Sequence, residues 1–117
     1  MKFDRHEKHV LNELHELGLP TNKFIGLTNA HRIAVTYEFS QDRRLTMCWI
    51  ILDNGMRVHG ISYASKKEDK ISESVGRMIA FTYAVLYFLS RYCQDKFPGV
   101  PDDFNAENIA RGVSEGK

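Results

Sequence analysis

The chain has few of the residues that hold small stapled or metal-bound proteins together. It contains only two cysteines and three prolines in 117 residues. Cys48 falls within an apolar strand pattern and Cys93 follows a long helical pattern, so their spacing indicates neither a disulfide framework nor a zinc knuckle. We expect two free thiols in a reducing cytoplasm. A chain of this length buries a sufficient core without a metal or a disulfide.

The chain also has no excess of positive or negative charge. The formal net charge is +1, with 26% charged and 43% hydrophobic residues, which is typical of a globular domain. This composition excludes a disordered tail and a protein that coats nucleic acid by charge alone. The charged N-terminus does not fit a secretory signal, and no repeat or linker divides the chain. We therefore predict a single domain over residues 1–117 in the cytoplasm.

No apolar run is long enough to cross a bilayer, which needs about 20 residues. The longest one, residues 78–89, contains no charge and is apolar on every side of a helix. Such a helix must be covered all round. One sheet covers one side, so the sequence predicts a homodimer or higher homo-oligomer. The expected interface residues are Phe81, Tyr83, Tyr87 and Phe88.

The remaining patterns predict an α+β fold. Asp4 is a candidate cap for an amphipathic helix that ends at Gly18 and Pro20. Strand patterns follow at residues 32–39, 45–52 and 56–64, and a long helix runs to Cys93 from about Lys66 or, after a break, from about Ser72. A short helix is expected from Asp102 or Asp103 to Ile109. The predicted order is α-β-β-β-α-α: a three-stranded antiparallel sheet covered by the long C-terminal helix, with the N-terminal helix at its edge.

The Asn54-Gly55 pair predicts a two-residue type I′ hairpin. That turn pairs Trp49 with Gly60 across the two strands. One face of the sheet is then expected to be core and the other to meet something polar. The core set is Met47, Trp49, Ile51, Val58 and Ala64; the other face joins Arg57, His59 and Tyr63 to Cys48 and Ile50.

Metal binding and catalysis are not favoured. His6, His9 and Glu13 share one face of the first helix, one residue short of the His-Glu-x-x-His zinc spacing. A solvated helix face explains the same pattern, and we favour that explanation. The sequence has no Walker-type loop, no nucleophile elbow and no ordered triad. We expect a protein that is not an enzyme and needs no cofactor.

Cations near the start of the long helix are the main candidates for ligand binding. Lys66 and Lys67 lie where free backbone N–H groups favour an anion, although they also serve solubility beside Glu68 and Asp69. Arg77 follows Gly76 and either grips a phosphate or pairs with an acidic residue, Asp69 or Glu73. The expected ligand set is Arg77, Lys66, Lys67, Asp69, Gly76, Phe81, Arg111, Asn105, Asn108 and Arg57.

Residues 64–81 resemble a strand-to-helix pattern of small phage-encoded proteins, in which an Asp precedes Ile/Val-Gly-Arg-x-Ile-Ala. Here the matching residues are Asp69 and the run Val75-Gly76-Arg77-Met78-Ile79-Ala80. In this segment the chain resembles the Thoeris anti-defence sponges, which sequester cyclic ADP-ribose-type immune signals at a homo-oligomer interface. The resemblance implies non-catalytic binding of a small anionic nucleotide in the host bacterial cytoplasm, with Asp69, Gly76 and Arg77 at matched positions.

Two alternatives remain open. The helix–three strands–helix order and the lysine cluster also resemble double-stranded-RNA-binding domains, but Asp69 stands where that family has Ala. The low net charge ranks this alternative second, because RNA binding needs many phosphate contacts. The third is a protein-directed inhibitor of a host defence factor, which would dock through an exposed apolar surface.

Overall fold

A computed structural model describes residues 3–63 and 73–92 of the chain. Its elements are α1 (Arg5–Glu16), α2 (Thr21–Ala30), β1 (Ile33–Phe39), β2 (Leu45–Leu52), β3 (Arg57–Tyr63) and α3 (Glu73–Tyr92). The strands form an antiparallel sheet in the order β1-β2-β3. The predicted α+β class, sheet and long C-terminal helix are confirmed. The helix predicted from Asp102 or Asp103 lies outside the described residues.

Helix α1 begins at the predicted cap. The Asp4 side chain accepts a hydrogen bond from the Glu7 backbone N–H at 2.8 Å, and Glu7 accepts one from the Asp4 N–H at 3.0 Å. This reciprocal capping box satisfies two donors that the first turn leaves free. The helix ends at Glu16, with Leu17 as its C-cap, before Gly18, which has a φ of +89°. Val10 and Leu14 are fully buried, so one face of α1 packs into the core.

Helix α2 was not predicted, because its sequence favours no regular structure. Pro20 occupies its N-cap without a side-chain hydrogen bond, and the helix contains Gly26 and three residues of β-branched type. Packing outweighs this poor propensity. Phe24 is fully buried, and its ring lies edge-on to Phe88 of α3 with centroids 5.0 Å apart.

The predicted register between β2 and β3 is wrong by one residue. Trp49 pairs with His59, and Gly60 pairs with Cys48. The loop has three residues, because the Leu52 N–H bonds to the Met56 carbonyl at 2.8 Å. A type I′ turn needs positive φ at both central residues. In the described part of the chain positive φ occurs only at Arg43, Gly18 and Gly55, which excludes Asn54.

The shifted register exchanges the faces of β2, so the prediction is wrong for Met47, Trp49 and Ile51. Val58 is buried in the core as predicted, and Ala64 lies outside the described residues. The side chains that face α3 are Thr46, Cys48, Ile50 and Leu52 of β2 with Val58, Gly60 and Ser62 of β3, and all are buried. Met47, Trp49 and Ile51 lie on the opposite face, together with Arg57, His59 and Tyr63. A one-residue slip has this effect because side chains alternate along a strand.

Small residues at the centre of the sheet let α3 approach closely. A Cβ atom on Gly60 would lie 2.8 Å from the Tyr83 Cβ and would overlap the Ala80 carbonyl oxygen and the Ala84 nitrogen. Cys48 is the cross-strand neighbour of Gly60. A tryptophan could not occupy this crossing point, which explains why Trp49 lies on the other face.

Helices α1 and α2 cover the side of α3 that faces away from the sheet. Phe81 and Phe88 are fully buried within one chain, and Phe3 lies against both Phe24 and Phe81. The argument that α3 requires a second copy is therefore wrong, and Phe81 and Phe88 are not available to a partner. Tyr87 remains 52% exposed, and Tyr83 stacks on it. None of the described helices has the length and apolar character needed to cross a membrane.

Candidate functional site

The face of the sheet that points away from α3, here called the open face, is unusually apolar. Its residues are Ala34, Thr36 and Glu38 of β1, Leu45, Met47, Trp49 and Ile51 of β2, and Arg57, His59, Ile61 and Tyr63 of β3. Ile51, Ile61 and Tyr63 are 40%, 41% and 59% exposed. A one-sided antiparallel sheet usually turns polar residues to water. A contiguous apolar patch of this kind marks a binding surface.

Aromatic rings occupy the middle of the open face. Trp49 and His59 are direct cross-strand partners, and their ring centroids lie 4.7 Å apart with 39° between the planes. Thr36 flanks Trp49 on the other side, from β1. Together these groups offer a ring surface for stacking with hydroxyl and imidazole groups beside it.

The charges of the open face lie at two opposite corners. Arg57 is the first residue of β3 and lies beside Ile51 of β2. Glu38 is near the end of β1 and lies beside Met47, four residues from Ile51 along β2. Arg57 is on the same face as His59, two residues along the strand. A guanidinium next to an aromatic pair is suited to a ligand that combines an anion with a flat ring.

A second polar cluster joins α1, β1 and α3 on the other side of the sheet. Arg77 donates to the Asp4 carboxylate at 3.1 Å, and its guanidinium lies 4.6 Å from the centre of the Tyr37 ring. The Tyr37 hydroxyl donates to Glu7 at 2.5 Å, and Glu7 is only 5% exposed. Among the described residues Arg77 therefore pairs with Asp4, while the predicted partner Glu73 pairs with Arg43 at 3.7 Å and Asp69 lies outside the described residues.

This cluster lacks an activated nucleophile. Burial raises the pKa of the Tyr37 hydroxyl, and the neighbouring Cys48 and Glu7 raise it further. Burial also raises the pKa of the Cys48 thiol to about 12. Because the thiolate is the reactive form of cysteine, Cys48 is inert at neutral pH.

The cleft beside the cluster is too small for a nucleotide. Its cavity volume is about 10 Å³, room for about one water molecule, and its walls include His6, Val10, Met78 and Phe81. Pockets for small organic ligands are usually about 300–1,000 Å³. We conclude that Arg77 in this arrangement ties α3 to the start of α1.

The structure separates the residues that the sequence grouped as one site. Arg77 and Phe81 lie on the α3 side of the sheet, whereas Arg57 lies on the open face. Gly76 lies against β2, where an added Cβ would be 2.8 Å from the Thr46 hydroxyl. A ligand-binding role for these residues stays a prediction. Six others lie outside the described residues: Lys66, Lys67, Asp69, Asn105, Asn108 and Arg111.

Potential metal ligands do not assemble in the part of the chain that the structure describes. No group of three or more histidine, cysteine, aspartate or glutamate side chains is placed to hold an ion there. The Nε2 atom of His9 is buried without a hydrogen-bond partner among the described residues. His6 instead lines the cleft next to Arg77.

Sequence reasoning identified Arg57, His59 and Tyr63 as one surface but assigned Trp49, Met47 and Ile51 to the core. The available signal was the pair of small residues Gly60 and Cys48, which marks the crossing point of the helix and hence the inner face. No family model, curated protein or solved structure matches the chain.

Proposed function

We propose that this chain is a non-catalytic binding protein that holds a small anionic nucleotide on the open face, at an interface between copies of itself. The observation that supports this most is the Trp49–His59 ring pair on a sheet face next to Arg57, with a tilt of 39° between its planes, in which Trp49 is half-buried and His59 is exposed.

Each part of a nucleotide has a counterpart on this face. Stacking of a base on an aromatic side chain is worth about 1–3 kcal/mol, and Trp49 is the largest ring available. Arg57 supplies paired donors for a phosphate, and His59 and Thr36 supply further hydrogen-bonding groups beside the ring. The centre of the proposed site therefore moves from Arg77, whose neighbouring cleft is too small for a nucleotide, to Arg57 and Trp49 on the open face.

The class of nucleotide follows from the resemblance of residues 64–81 to the Thoeris anti-defence sponges. It suggests a phage-encoded protein that sequesters a cyclic ADP-ribose-like or cyclic nucleotide immune signal in the host cytoplasm. In such a sponge the ligand is enclosed between copies. The open face is a sheet surface, and a second copy docked on it would supply the cover.

Binding to long duplex RNA is less well supported by the described residues. Phosphate-backbone binding requires several cations on one surface, and its affinity falls steeply with salt. Within its strands the open face carries one arginine and one glutamate. The third alternative, inhibition of a host protein, uses the same face and is distinguished by the ligand that the protein retains.

Replacing Trp49 by alanine is expected to weaken binding of cyclic ADP-ribose or cyclic di-AMP by about tenfold or more, because the base loses its stacking surface. Isothermal calorimetry at physiological salt measures this change. Tyr87→Ala is the matched control, since Tyr87 is an exposed aromatic residue on α3, away from the open face. Equal affinity of Trp49→Ala and the native chain would exclude the open face as the site. Binding of duplex RNA alone would favour the second alternative.

A further inference from the structure

The two formal charges within the strands of the open face have opposite signs and a symmetric placement. Glu38 lies on β1 opposite Met47, and Arg57 lies on β3 opposite Ile51. Standard strand spacings put their Cα atoms about 17 Å apart. Trp49 is on the central strand, halfway between Met47 and Ile51, and therefore at the midpoint of the line from Glu38 to Arg57.

This arrangement makes the face complementary to itself. Consider a two-fold axis that lies in the plane of the interface, passes through Trp49 and is perpendicular to the line from Glu38 to Arg57. Rotation about this axis places Glu38 of each copy opposite Arg57 of the other. The same residue pair then forms twice, as a two-fold interface requires. The strands of the two sheets would cross at roughly 70°, nearer the orthogonal than the aligned class of sheet packing.

We propose that the partner on the open face is a second copy of this chain, docked face to face about that axis. Two Glu38–Arg57 ion pairs fix the register, and the two Trp49 side chains lie together at the centre. Burial of Met47, Trp49, Ile51 and Ile61 supplies the driving force, and the ion pairs select this arrangement over others.

This inference rests on the proposed function in one respect: both place the contact between copies on the open face. A planar base would insert at the centre, between the Trp49 rings of the two copies. Each Arg57 guanidinium has five N–H donors, and those not used by Glu38 would bind phosphate. Docking of the two faces does not itself require the nucleotide, so the two proposals can fail separately.

A charge exchange tests the docking without any ligand. Glu38→Arg places two arginines at each contact, and Arg57→Glu places two glutamates there, so each single variant should dissociate more readily by at least about tenfold. The double variant Glu38→Arg/Arg57→Glu recreates both pairs in reversed order and should return to near the native dissociation constant. Within one chain the two positions are separated by more than a Debye length of about 8–10 Å, so rescue reports contact between copies.

Sedimentation velocity of the full chain, over a range of micromolar concentrations without nucleotide, gives the dissociation constants. The control is Glu16→Arg/Lys23→Glu, which makes the same changes at exposed positions of α1 and α2, and thermal melting verifies that each variant is folded. A monomeric native chain, unchanged single variants or a double variant weaker than both singles would each overturn the proposal. A dimer with rescue but no nucleotide binding would retain the docking and remove the proposed function.

Discussion

Replacing Gly60 by alanine is expected to lower the free energy of unfolding by about 3 kcal/mol or more. The added Cβ would overlap the backbone of α3 at Ala80 and Ala84 and would lie 2.8 Å from the Tyr83 Cβ. Backbone atoms of a helix cannot rotate away as the end of a long side chain can. Relief therefore requires α3 to move off the sheet, which loosens the packing around Cys48 and Val58 as well.

Urea denaturation followed by far-UV circular dichroism measures this loss. Gly26→Ala is the control, because nothing lies within 4 Å of an added Cβ at that position in α2. That change should raise stability by about 0.5–1 kcal/mol, since alanine is the better helix former. If Gly60→Ala were as stable as the native chain, α3 would not cross the sheet at this point.

Phe88→Ala is expected to destabilise the chain by about 3–5 kcal/mol. Phe88 is fully buried, and its ring meets Phe24 edge-on at 5.0 Å. Removing the ring leaves a cavity between α3 and α2 that the poor helix former α2 is badly placed to fill. The variant therefore tests whether α1 and α2, rather than a second copy, cover this side of α3.

Tyr87→Ala, one residue earlier on the same helix, is the comparison. Its side chain is 52% exposed and contacts Tyr83, so its removal should change stability by no more than about 0.5 kcal/mol. Denaturation should be measured at two protein concentrations. A Phe88→Ala variant whose loss of stability depends on protein concentration would restore the idea that Phe88 belongs to an oligomer interface.

Local patterns were sufficient to predict most of the fold. The alternation of Ile33, Val35 and Tyr37 predicted β1, and Asp4 was identified as a cap from its position before an amphipathic run. The long helix was evident from its apolar length. These features depend on neighbours within a few residues along the chain, which a single sequence displays directly.

Features that depend on packing could not be predicted in the same way. Helix α2 contains Gly26, asparagines and threonines, and becomes a helix because Phe24 enters the core. The register of β2 and β3 depended on one extra loop residue, Asp53, whose carboxylate accepts from the Arg32 N–H at 3.1 Å and contacts His31 at 3.0 Å. No short-range turn rule includes a contact to Arg32, which precedes β1 and lies 21 residues earlier in the sequence.

The candidate site was missed for the same reason. With the wrong register Trp49 is assigned to the core, so the Trp49–His59 ring pair on the open face is not recognised. Arg77 was identified as exceptional because it interrupts an apolar helix, but its partner Asp4 is 73 residues away in sequence. The sequence indicated that the Arg77 guanidinium needs an acidic or anionic partner. That Asp4 is such a partner is evident only from the tertiary structure.

The fluorescence of Trp49 tests the central claim most directly, because it is the single tryptophan of the chain and lies at the centre of the proposed site. Titration of the native protein with cyclic ADP-ribose or cyclic di-AMP should change its emission and reach saturation, while inorganic phosphate at the same concentrations should not. Free N-acetyl-tryptophanamide corrects for absorption by the nucleotide. Unchanged Trp49 emission while calorimetry records nucleotide binding would contradict the account, because the ligand would then occupy a surface away from the open face.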